Sequence, residues 1–330
     1  MQALVLVGGF GTRLQPLTLT TPKQMLPIVG KPMIEHVVEH LATHGVTKVV
    51  LSLGFAPEAF QEAYPEGVCA GIPLHYAIEP EPLDTAGAVR FAALDAGIDE
   101  TFLVLNGDVL TGLDVSALVE RHNSFGAEAT LHLTPVDDPS RYGVVPTDTD
   151  GRVLGFIEKP APGTAPTNWI NAGTYVFEPT VLDHIAAGRR VSVEREVFPA
   201  LAETGRLFAW ESADYWIDTG TPATYLQAQL DFLDGRRGPA HCGLDETATV
   251  DGTVERSEIG ANCVVETGAV VRNSVLLAGA HAAAGAVIEG SIVGWGATVG
   301  AGATVRNLSV IGHGAKVPAG EALDGVTFPK

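Results

Sequence analysis

A six-residue aliphatic repeat in the last third of the chain restricts its fold more than any other feature. Small residues fill the positions between the aliphatic ones, and the regular period distinguishes this region from a disordered glycine-rich tail. It predicts a parallel β-helix with three hexads in each triangular coil. The repeat positions are Ile259, Val265, Val271, Leu277, Ala283, Val293, Val299, Val305, Ile311 and Val317. Because the step of six breaks between Ala283 and Val293, we expect one irregular coil there.

The preceding part of the chain alternates strand-like runs with amphipathic helices. The runs "ALVLV", "KVVLSL", "LHYAIE" and "TFLVLNGD" predict strands, and "PMIEHVVEHLATHG", "AGAVRFAALDAG" and "SALVERHNSFG" predict helices between or after them. This alternation favours a mainly parallel sheet with helices on both faces. A hairpin around Asp150–Gly151 and a helix in "TPATYLQAQLDFLDG" follow. We therefore predict an α/β domain over residues 1–235, then a linker and β-helix over residues 236–330.

Charge and cysteine content limit the classes of partner. The formal net charge of −19 is unlike the basic surface of nucleic-acid binders, so a phosphate-bearing ligand needs a local basic cluster or a metal. No apolar run is long enough to span a bilayer, and the amino terminus has no basic segment typical of a signal peptide. Three scattered cysteines fit free thiols in a reducing compartment. We expect a cytoplasmic protein without nucleic-acid or membrane partners.

Two polar segments follow predicted strands, where ligands bind in open α/β sheets. The first is "GGFGTRLQPLTLTTPKQMLP", residues 8–27, and the second is "NGD", residues 106–108. The first segment is neither a Walker P-loop nor a complete GxGxxG motif. Its glycines allow backbone N–H groups to approach phosphates, and Arg13 and Lys23 can pair with phosphate oxygens. A tight turn carrying a surface arginine and lysine is the alternative that this segment alone leaves open.

The extended pattern GGxGTRLxPLTxxxPKxMLP closely resembles the signature of the sugar-1-phosphate nucleotidylyltransferases. Further motifs follow in the order expected of mannose-1-phosphate guanylyltransferases: "EPEPLDTAGAVR", "NGD", "YGVV", "EKP", "NAGTYVFEP", "SVEREVFP" and "YWIDTGTPATY". The hexapeptide tail is also similar to the tail of many members. The resemblance implies a Rossmann-like nucleotidyltransferase domain followed by a left-handed β-helix. It also implies that GTP and mannose 1-phosphate give GDP-mannose and pyrophosphate, with Mg²⁺ as cofactor.

The resemblance also implies roles for individual residues. Asp108 and Asp218 would hold Mg²⁺; taken singly, the first could be a turn residue and the second a helix N-cap. Arg13 would face the departing pyrophosphate, and Lys23 the α-phosphate or the sugar phosphate. The implied nucleotide-binding residues are Leu6, Gly8, Gly9, Gly11, Thr12, Arg13, Lys23, Glu79, Thr85, Gly87, Asn106 and Gly107. Those implied for the sugar phosphate are Gly143, Glu158, Lys159, Asn171 and Gly173.

The choice of base is expected in "IEPEPLDTAGA", residues 78–88. Relatives that use thymidine or uridine nucleotides commonly place a glutamine near Glu79. A carboxylate there accepts from both N–H donors of the guanine edge, so Glu79 or Glu81 could select guanine, or both could be solvated loop acids. Family members often carry glycine where this chain has Asp84, which leaves the geometry of this loop open.

Other functions remain to be separated from this hypothesis. A glucose-1-phosphate uridylyl- or thymidylyltransferase shares the motifs, and some homologues bind nucleotide sugars only as regulators. Hexapeptide domains also form acyltransferases with a catalytic histidine, for which His281 and His313 are the candidates. We interpret the β-helix instead as an oligomerisation or regulatory module and expect a homo-oligomer. Histidines spaced four apart on one helix suggest a metal stripe, but a solvated helix face is the preferred interpretation; they are His36, His40 and His44.

Overall fold

The computed structural model describes residues 1–54 and 56–329 of the 330-residue chain. These residues form two compact units that differ from a simple division along the sequence. The first, which we call the sheet unit, contains residues 1–9 and 35–216, and the second, the β-helix unit, contains residues 10–34 and 217–330. The glycine-rich segment that follows the first strand therefore belongs mostly to the β-helix unit. The domain boundary near residue 235 stays a prediction.

Regular elements up to residue 233 alternate between strands and helices, as the hydrophobic pattern predicts. The strands are β1 (Gln2–Leu6), β2 (Pro27–Ile28), β3 (Lys31–Pro32), β4 (Lys48–Leu53), β5 (Val68–Cys69), β6 (Ile72–Ile78), β7 (Phe102–Asn106), β8 (Val109–Thr111), β9 (Ala129–Pro135), β10 (Gly143–Val144), β11 (Ile157–Glu158), β12 (Trp169–Phe177), β13 (Leu207–Glu211) and β14 (Trp216–Asp218). The α-helices are α1 (Met33–Thr43), α2 (Pro57–Ala63), α3 (Asp84–Asp95), α4 (Val115–Phe125), α5 (Phe198–Glu203) and α6 (Pro222–Leu233). Among these helices, none is long and apolar enough to cross a membrane.

The sheet unit is built on a mixed sheet with a parallel centre. The strand order is β11-β10-β12-β7-β1-β4-β6-β5, and β9 pairs with both β12 and β13. The strands β7, β1, β4 and β6 run parallel, whereas β12 runs antiparallel to β7 and to β9. This confirms the predicted Rossmann-like α/β class with a mainly parallel mixed sheet. The central strands are rich in fully buried Val and Leu because helices cover parallel sheets on both faces.

Helix α1 follows its predicted apolar pattern but not its predicted histidine environment. Ile34, Val37, Val38 and Leu41 are buried as expected. His36 is also buried, with 6% of its surface exposed, and His40 Nε2 donates to the Leu113 carbonyl oxygen at 2.9 Å. The interpretation of a solvated histidine face is therefore wrong. These rings are amphipathic and pack against protein while their nitrogens find polar partners.

The carboxyl-terminal part of the β-helix unit is a left-handed parallel β-helix, which confirms the predicted fold class. Three five-stranded parallel sheets form its sides. The strands are β15 (Thr249–Val250), β16 (Thr253–Glu255), β17 (Glu258–Ile259), β18 (Val264–Val265), β19 (Val270–Arg272), β20 (Val275–Leu276), β21 (His281–Ala282), β22 (Val287–Glu289), β23 (Ile292–Val293), β24 (Thr298–Val299), β25 (Thr304–Arg306), β26 (Val310–Ile311), β27 (Lys316–Val317), β28 (Ala322–Asp324) and β29 (Thr327–Phe328).

The coils of the β-helix differ from three equal hexads. Val264 pairs with His281 and His281 with Thr298, so these coils contain 17 residues, whereas Thr298 pairs with Lys316, 18 residues later. The buried core column is Ile259, Val265, Val271, Leu276, Ala282, Ile288, Val293, Val299, Val305, Ile311 and Val317. The predicted repeat positions Leu277 and Ala283 are therefore wrong by one residue, since Leu276 and Ala282 lie in the core. The prediction of a single irregular coil is also wrong, because a step of five occurs twice, from Val271 to Leu276 and from Ile288 to Val293. The same corner is one residue shorter in successive coils. Asn273 in one coil and Gly290 in the next form this corner, and they have positive φ of 45° and 54°.

This short corner carries two stacked columns of polar side chains. In the serine column, Ser274 N–H donates to Ser257 Oγ and Ser291 N–H to Ser274 Oγ, both at 3.1 Å. In the charge column, acidic and basic residues alternate from coil to coil, and Arg272 Nε lies 2.9 Å from Glu255 Oε2. The members of the charge column are Glu255, Arg272, Glu289, Arg306 and Asp324. Each coil thus satisfies polar groups of its neighbour.

Candidate active site

The carboxyl ends of three parallel strands meet at one edge of the sheet unit. Leu6, the last residue of β1, pairs with Asn106 on one side and with Ser52 on the other. The Gly107 N–H donates to the Leu6 carbonyl oxygen at 2.9 Å. Asp108 follows and is half-buried. The structure therefore brings four of the predicted residues, Leu6 and 106–108, to the edge where ligands of α/β sheets bind.

Glu79 lies at the same edge, beside the glycines that follow β1. A β-carbon placed on Gly8 would be 3.9 Å from Glu79 Oε1. The Glu79 carboxylate accepts from Ser52 Oγ at 3.2 Å and from the Leu83 N–H at 3.1 Å. These two donors fix its orientation and leave lone pairs for further donors, since an ionised carboxylate has about four acceptor positions. Gly8 and Gly9 are both exposed.

Helix α3 carries two more predicted nucleotide-binding residues, and both are bonded within the protein. Thr85 Oγ1 donates to Glu194 Oε2 at 3.0 Å and accepts from the Val193 N–H at 2.9 Å. The Gly87 N–H donates to the Val191 carbonyl oxygen at 3.2 Å. Their contact with a nucleotide stays a prediction.

Asp84, the first residue of α3, has a φ of 63° and is exposed. Glycine adopts this left-handed conformation without steric cost, and aspartate is among the residues that tolerate it best. Asp84, where family members often carry glycine, therefore keeps the backbone conformation that glycine favours.

The "NAGTY" segment of β12 places predicted sugar residues next to Asn106. The strand is irregular between Asn171 and Tyr175, and Gly173 there has a φ of 76°. A β-carbon on Gly173 would lie 2.6 Å from Asn106 Nδ2, so only glycine fits without displacing that side chain. Asn171 donates through Nδ2 to the Tyr175 hydroxyl at 2.8 Å and accepts at Oδ1 from the Gly173 N–H at 3.1 Å.

Tyr175 is fully buried, and burial raises the pKa of its phenol above the ordinary value. The Gly173 N–H can only donate, so it fixes Oδ1 as the accepting end of the Asn171 amide, and the neutral hydroxyl of Tyr175 accepts from Nδ2. Tyr175 and Ser52 are supporting residues that sequence reasoning missed. The sequence signals for them are weak: Ser52 is the one polar residue near the end of the apolar run "KVVLSL", and Tyr175 is one aromatic residue within "NAGTYVFEP".

Glu158 and Lys159 lie at the end of the hairpin that was predicted around Asp150–Gly151. Gly143 pairs with Glu158 across β10 and β11, and the Lys159 N–H donates to the Tyr142 carbonyl oxygen at 3.0 Å. Lys159 has a φ of 49°, a conformation that is costly for a residue with a side chain. Its Nζ lies 2.6 Å from Glu158 Oε1, and 63% of its side chain is exposed. The lysine is thus held by its backbone and its ammonium remains accessible.

In the β-helix unit, the glycine-rich segment folds into two short 3₁₀ turns. These are Thr12–Leu14 and Lys23–Met25. The Gly11 carbonyl oxygen accepts from Thr18 Oγ1 at 2.7 Å and from the Leu14 N–H at 2.9 Å. A β-carbon on Gly11, whose φ is 58°, would lie 3.4 Å from Lys23 Cβ. The fold of this segment therefore brings the Thr12–Leu14 turn, which carries Arg13, and Lys23 close to the same glycine.

Arg13 and Asp218 flank one backbone position although they are far apart in the sequence. A β-carbon on Gly220 would lie 2.6 Å from Arg13 Nη2 and 2.8 Å from Asp218 Oδ1. The Gly220 N–H itself donates to Asp218 Oδ1 at 2.8 Å. Arg13 and Asp218 are thus neighbours within the β-helix unit, and their roles toward phosphate and metal stay predictions.

The two predicted metal ligands, Asp108 and Asp218, suit Mg²⁺ better than an ion that takes all of its ligands from the protein. Within residues 1–54 and 56–329, no group of three or more His, Cys, Asp or Glu side chains could hold a metal ion. Mg²⁺ is commonly bound by one or two carboxylates together with substrate phosphates. Asp108 and Asp218 each supply one hard carboxylate donor.

Comparisons with known proteins agree with this arrangement of motifs. The "Nucleotidyl transferase" family model matches residues 2–235, and the "GMPPB C-terminal domain" model matches residues 240–328. A mannose-1-phosphate guanylyltransferase of Mycobacterium tuberculosis is 40% identical over 331 residues, which cover 99% of this chain and 79% of that protein. A probable mannose-1-phosphate guanylyltransferase 2 of Arabidopsis thaliana is 40% identical over 342 residues, with 96% and 92% covered.

Solved structures are similar over more than two thirds of the chain. Crystal structures of HddC from Yersinia pseudotuberculosis, one of them complexed with GMP-PN, superpose with a TM-score of 0.61 at 31% identity. They cover 70% of this chain and 99% of HddC. Together with the family model that spans most of the chain, these similarities settle its classification. The chain belongs to the nucleotidyl transferase family.

Proposed function

We propose that this chain transfers the guanylyl group of GTP to mannose 1-phosphate, which gives GDP-mannose and pyrophosphate. The observation that carries the proposal is the 40% identity to a mannose-1-phosphate guanylyltransferase over 99% of the chain. The site geometry agrees with a nucleotidyl transfer, since a glycine-rich turn with Arg13 and Lys23 offers cationic groups for a triphosphate.

The nucleophile needs no general base. The second ionisation of a phosphate monoester has a pKa near 6, so the sugar phosphate already carries an attacking oxygen at neutral pH. That oxygen attacks the α-phosphorus of GTP in line, and pyrophosphate leaves from the opposite side. The protein therefore contributes positioning and charge neutralisation.

In this proposal Arg13, which lies beside Gly220, pairs with oxygens of the departing pyrophosphate, because a guanidinium can make two parallel bonds to phosphate. Lys23 supplies a second positive charge near Gly11 for the α-phosphate or the sugar phosphate. Asp108 and Asp218 would hold Mg²⁺, which when bound neutralises charge that develops on the phosphate oxygens. Without these groups the transition state would carry uncompensated negative charge.

The remaining predicted residues are assigned to the base and the sugar. Glu79, fixed by Ser52 and Leu83, accepts from the N–H donors of guanine. The exposed ammonium of Lys159 neutralises the sugar phosphate, and the Asn171 and Glu158 side chains bind sugar hydroxyls.

A substrate panel tests the proposal directly. Pyrophosphate release is measured with Mg²⁺ while GTP, UTP, dTTP, ATP and CTP are crossed with mannose and glucose 1-phosphate. We expect release with GTP and mannose 1-phosphate far above every other pair. A preference for UTP or dTTP with glucose 1-phosphate would keep the mechanism and overturn the substrates. Release with no pair would instead indicate a regulatory nucleotide-sugar binder.

We also propose that the protein is a cytoplasmic homo-oligomer that uses its β-helix for association. The three cysteines are free thiols, and Cys242 is exposed, which suits a reducing compartment. Light scattering on the purified protein measures the mass of the assembly. A monomer of 34.4 kDa at micromolar concentration would contradict the oligomer.

A further inference from the structure

A turn of the β-helix contacts the glycine-rich segment within the β-helix unit. The turn contains Gly312 and His313, and the segment presents Pro16 and Leu17. His313 Nε2 lies 2.9 Å from the Leu17 carbonyl oxygen. A β-carbon on Gly312 would lie 3.0 Å from Pro16 Cγ. Pro16 and Leu17 are both buried, so this contact holds the segment in place.

The ring of His313 is fixed in one orientation and one tautomer. The Trp295 N–H donates to His313 Nδ1 at 3.0 Å, which leaves the proton on Nε2 for the bond to Leu17. The indole of Trp295 stacks on the imidazole with ring centres 4.3 Å apart and planes 24° apart. Burial lowers the pKa of His313, which favours the neutral ring that this bonding pattern requires.

Backbone hydrogen bonds connect Leu17 to the turn that carries Arg13. The Leu17 N–H donates to the Leu14 carbonyl oxygen at 3.1 Å, and the Leu14 N–H donates to the Gly11 carbonyl oxygen at 2.9 Å. Arg13 lies inside this Thr12–Leu14 turn, and its side chain is exposed. Anchoring Leu17 therefore restricts the backbone from which the guanidinium projects.

We propose that His313 of the β-helix is a positioning residue for nucleotidyl transfer, which acts by holding the Gly11–Leu17 turn and hence Arg13 at the phosphates of GTP. This inference rests on the proposed function. It assigns to the β-helix a part in catalysis through one hydrogen bond and one stacked ring, without a contact to substrate. It also gives His313 a role other than that of an acyltransferase base.

Two substitutions separate the hydrogen bond from the ring. His313→Phe keeps the stack on Trp295 and removes both the donor to Leu17 and the acceptor of the Trp295 N–H, whereas His313→Gln keeps an N–H donor and a carbonyl acceptor. The matched control is His281→Gln, because His281 lies on the same β-helix and its Nε2 bonds to Glu266 at 2.8 Å. Thermal unfolding of all three variants establishes that the β-helix still folds.

We expect His313→Phe to lower kcat/KM for GTP about tenfold, the size of one lost positioning bond, and to change KM for mannose 1-phosphate by less than about twofold. His313→Gln should recover activity to within about threefold of the wild type, and His281→Gln should match the wild type. A purely structural role would lower the unfolding temperature without this split between the two substrates.

Amide hydrogen exchange of peptides covering residues 10–27 provides a readout independent of turnover. His313→Phe should accelerate exchange at the Leu14 and Leu17 amides, and His281→Gln should not. Unchanged exchange, or faster exchange with unchanged kcat/KM, would overturn the positioning role. If the wild type released no pyrophosphate, the proposed function would fall, and the exchange rates would still decide whether His313 holds the turn.

Discussion

The two units of this chain use repetition in opposite ways. In the β-helix, one contact recurs from coil to coil, as in the bonds from Ser274 to Ser257 and from Ser291 to Ser274. In the sheet unit, each contact at the strand ends occurs once, as in the bonds from Ser52 and Leu83 to Glu79. When one of several equivalent contacts between coils is lost, the remaining ones still hold the coils together, whereas a contact that occurs once has no substitute. We therefore expect substitutions at the sheet edge to affect chemistry, and substitutions at the repeated contacts between coils of the β-helix to affect mainly stability.

The largest expected effect separates chemistry from folding within the sheet unit. Asp108→Asn should lower turnover by about a hundredfold to a thousandfold, because an amide is a poorer ligand for Mg²⁺ at the developing charge. Its melting temperature should stay close to that of the wild type. Asp99→Asn is the matched control, since Asp99 is exposed and precedes β7 while Asp108 follows it. Near-normal turnover of Asp108→Asn would refute the metal assignment.

The second prediction concerns an exception to the repetition of the β-helix. Glu258 occupies the column that Val275, Ile292 and Val310 fill in later coils, and it is 6% exposed. Burial, with a smaller contribution from Asp245, raises the pKa of Glu258 from 4.5 to about 7. The folded state therefore favours the protonated carboxyl. The resulting stability is complete below about pH 4.5 and is lost as the pH rises through 7, by about 3 kcal/mol in total.

Glu258→Gln should abolish this decline, so that the variant is the more stable protein at pH 8. Urea unfolding between pH 4.5 and pH 8 measures the effect. Glu266→Gln should leave the decline in place, because Glu266 is only half-buried on the same β-helix and its hydrogen bond with His281 lowers the pKa of its carboxyl. Parallel pH profiles for the wild type and Glu258→Gln would show that the carboxyl is already solvated.

The third prediction compares two glycines with similar backbone angles. Gly173→Ala puts a β-carbon 2.6 Å from Asn106 Nδ2 at a φ of 76°, whereas Gly296→Ala in the β-helix has a φ of 62° and nothing within 4 Å. The first change should cost about 1–3 kcal/mol and at least tenfold in kcat/KM, because Asn106 must move. The second should cost about 1 kcal/mol and leave activity unchanged. Denaturant unfolding and initial rates would measure both, and equal losses of activity would contradict the comparison between units.

The smallest expected effect lies in the choice of base. Glu79→Gln can keep both present partners if its oxygen accepts from the Leu83 N–H and its amide donates to Ser52 Oγ. It loses one acceptor for guanine, so the ratio of kcat/KM for GTP to that for UTP should fall about tenfold with less change in turnover. Glu81→Gln tests the alternative carboxylate on the same loop and should leave the ratio unchanged. An unchanged ratio would move base recognition away from Glu79.

The elements predicted best from the sequence are those whose apolar residues follow one clear helical or strand pattern. Strand β4 coincides with the run "KVVLSL", and α4 and α6 lie within one or two residues of their predicted bounds. The coil length escaped prediction because adjacent aliphatic residues, Leu276 and Leu277, both fit a step near six. Only the shorter corner at Asn273 determines which of them faces the core.

The candidate site was predictable as a set of motifs but not as a set of neighbours. A linear pattern marks Arg13 and Asp218, yet only the fold shows that both flank Gly220. The contact of His313 with Leu17 joins two segments almost 300 residues apart, and no local pattern marks the two residues as partners. Such contacts depend on tertiary packing, which periodicity does not encode.

The charge column at the short corner restricts how a β-helix of this kind can change in length. Acidic and basic side chains alternate along Glu255, Arg272, Glu289, Arg306 and Asp324, so the true repeat of this surface is two coils and not one. Duplication of a single coil would set like charges opposite each other in adjacent strands, which is unfavourable. Duplication of a pair of coils would preserve every contact of the column. Gene segments that encode this tail can therefore be expanded or contracted in double units while the corner keeps its electrostatic pairing.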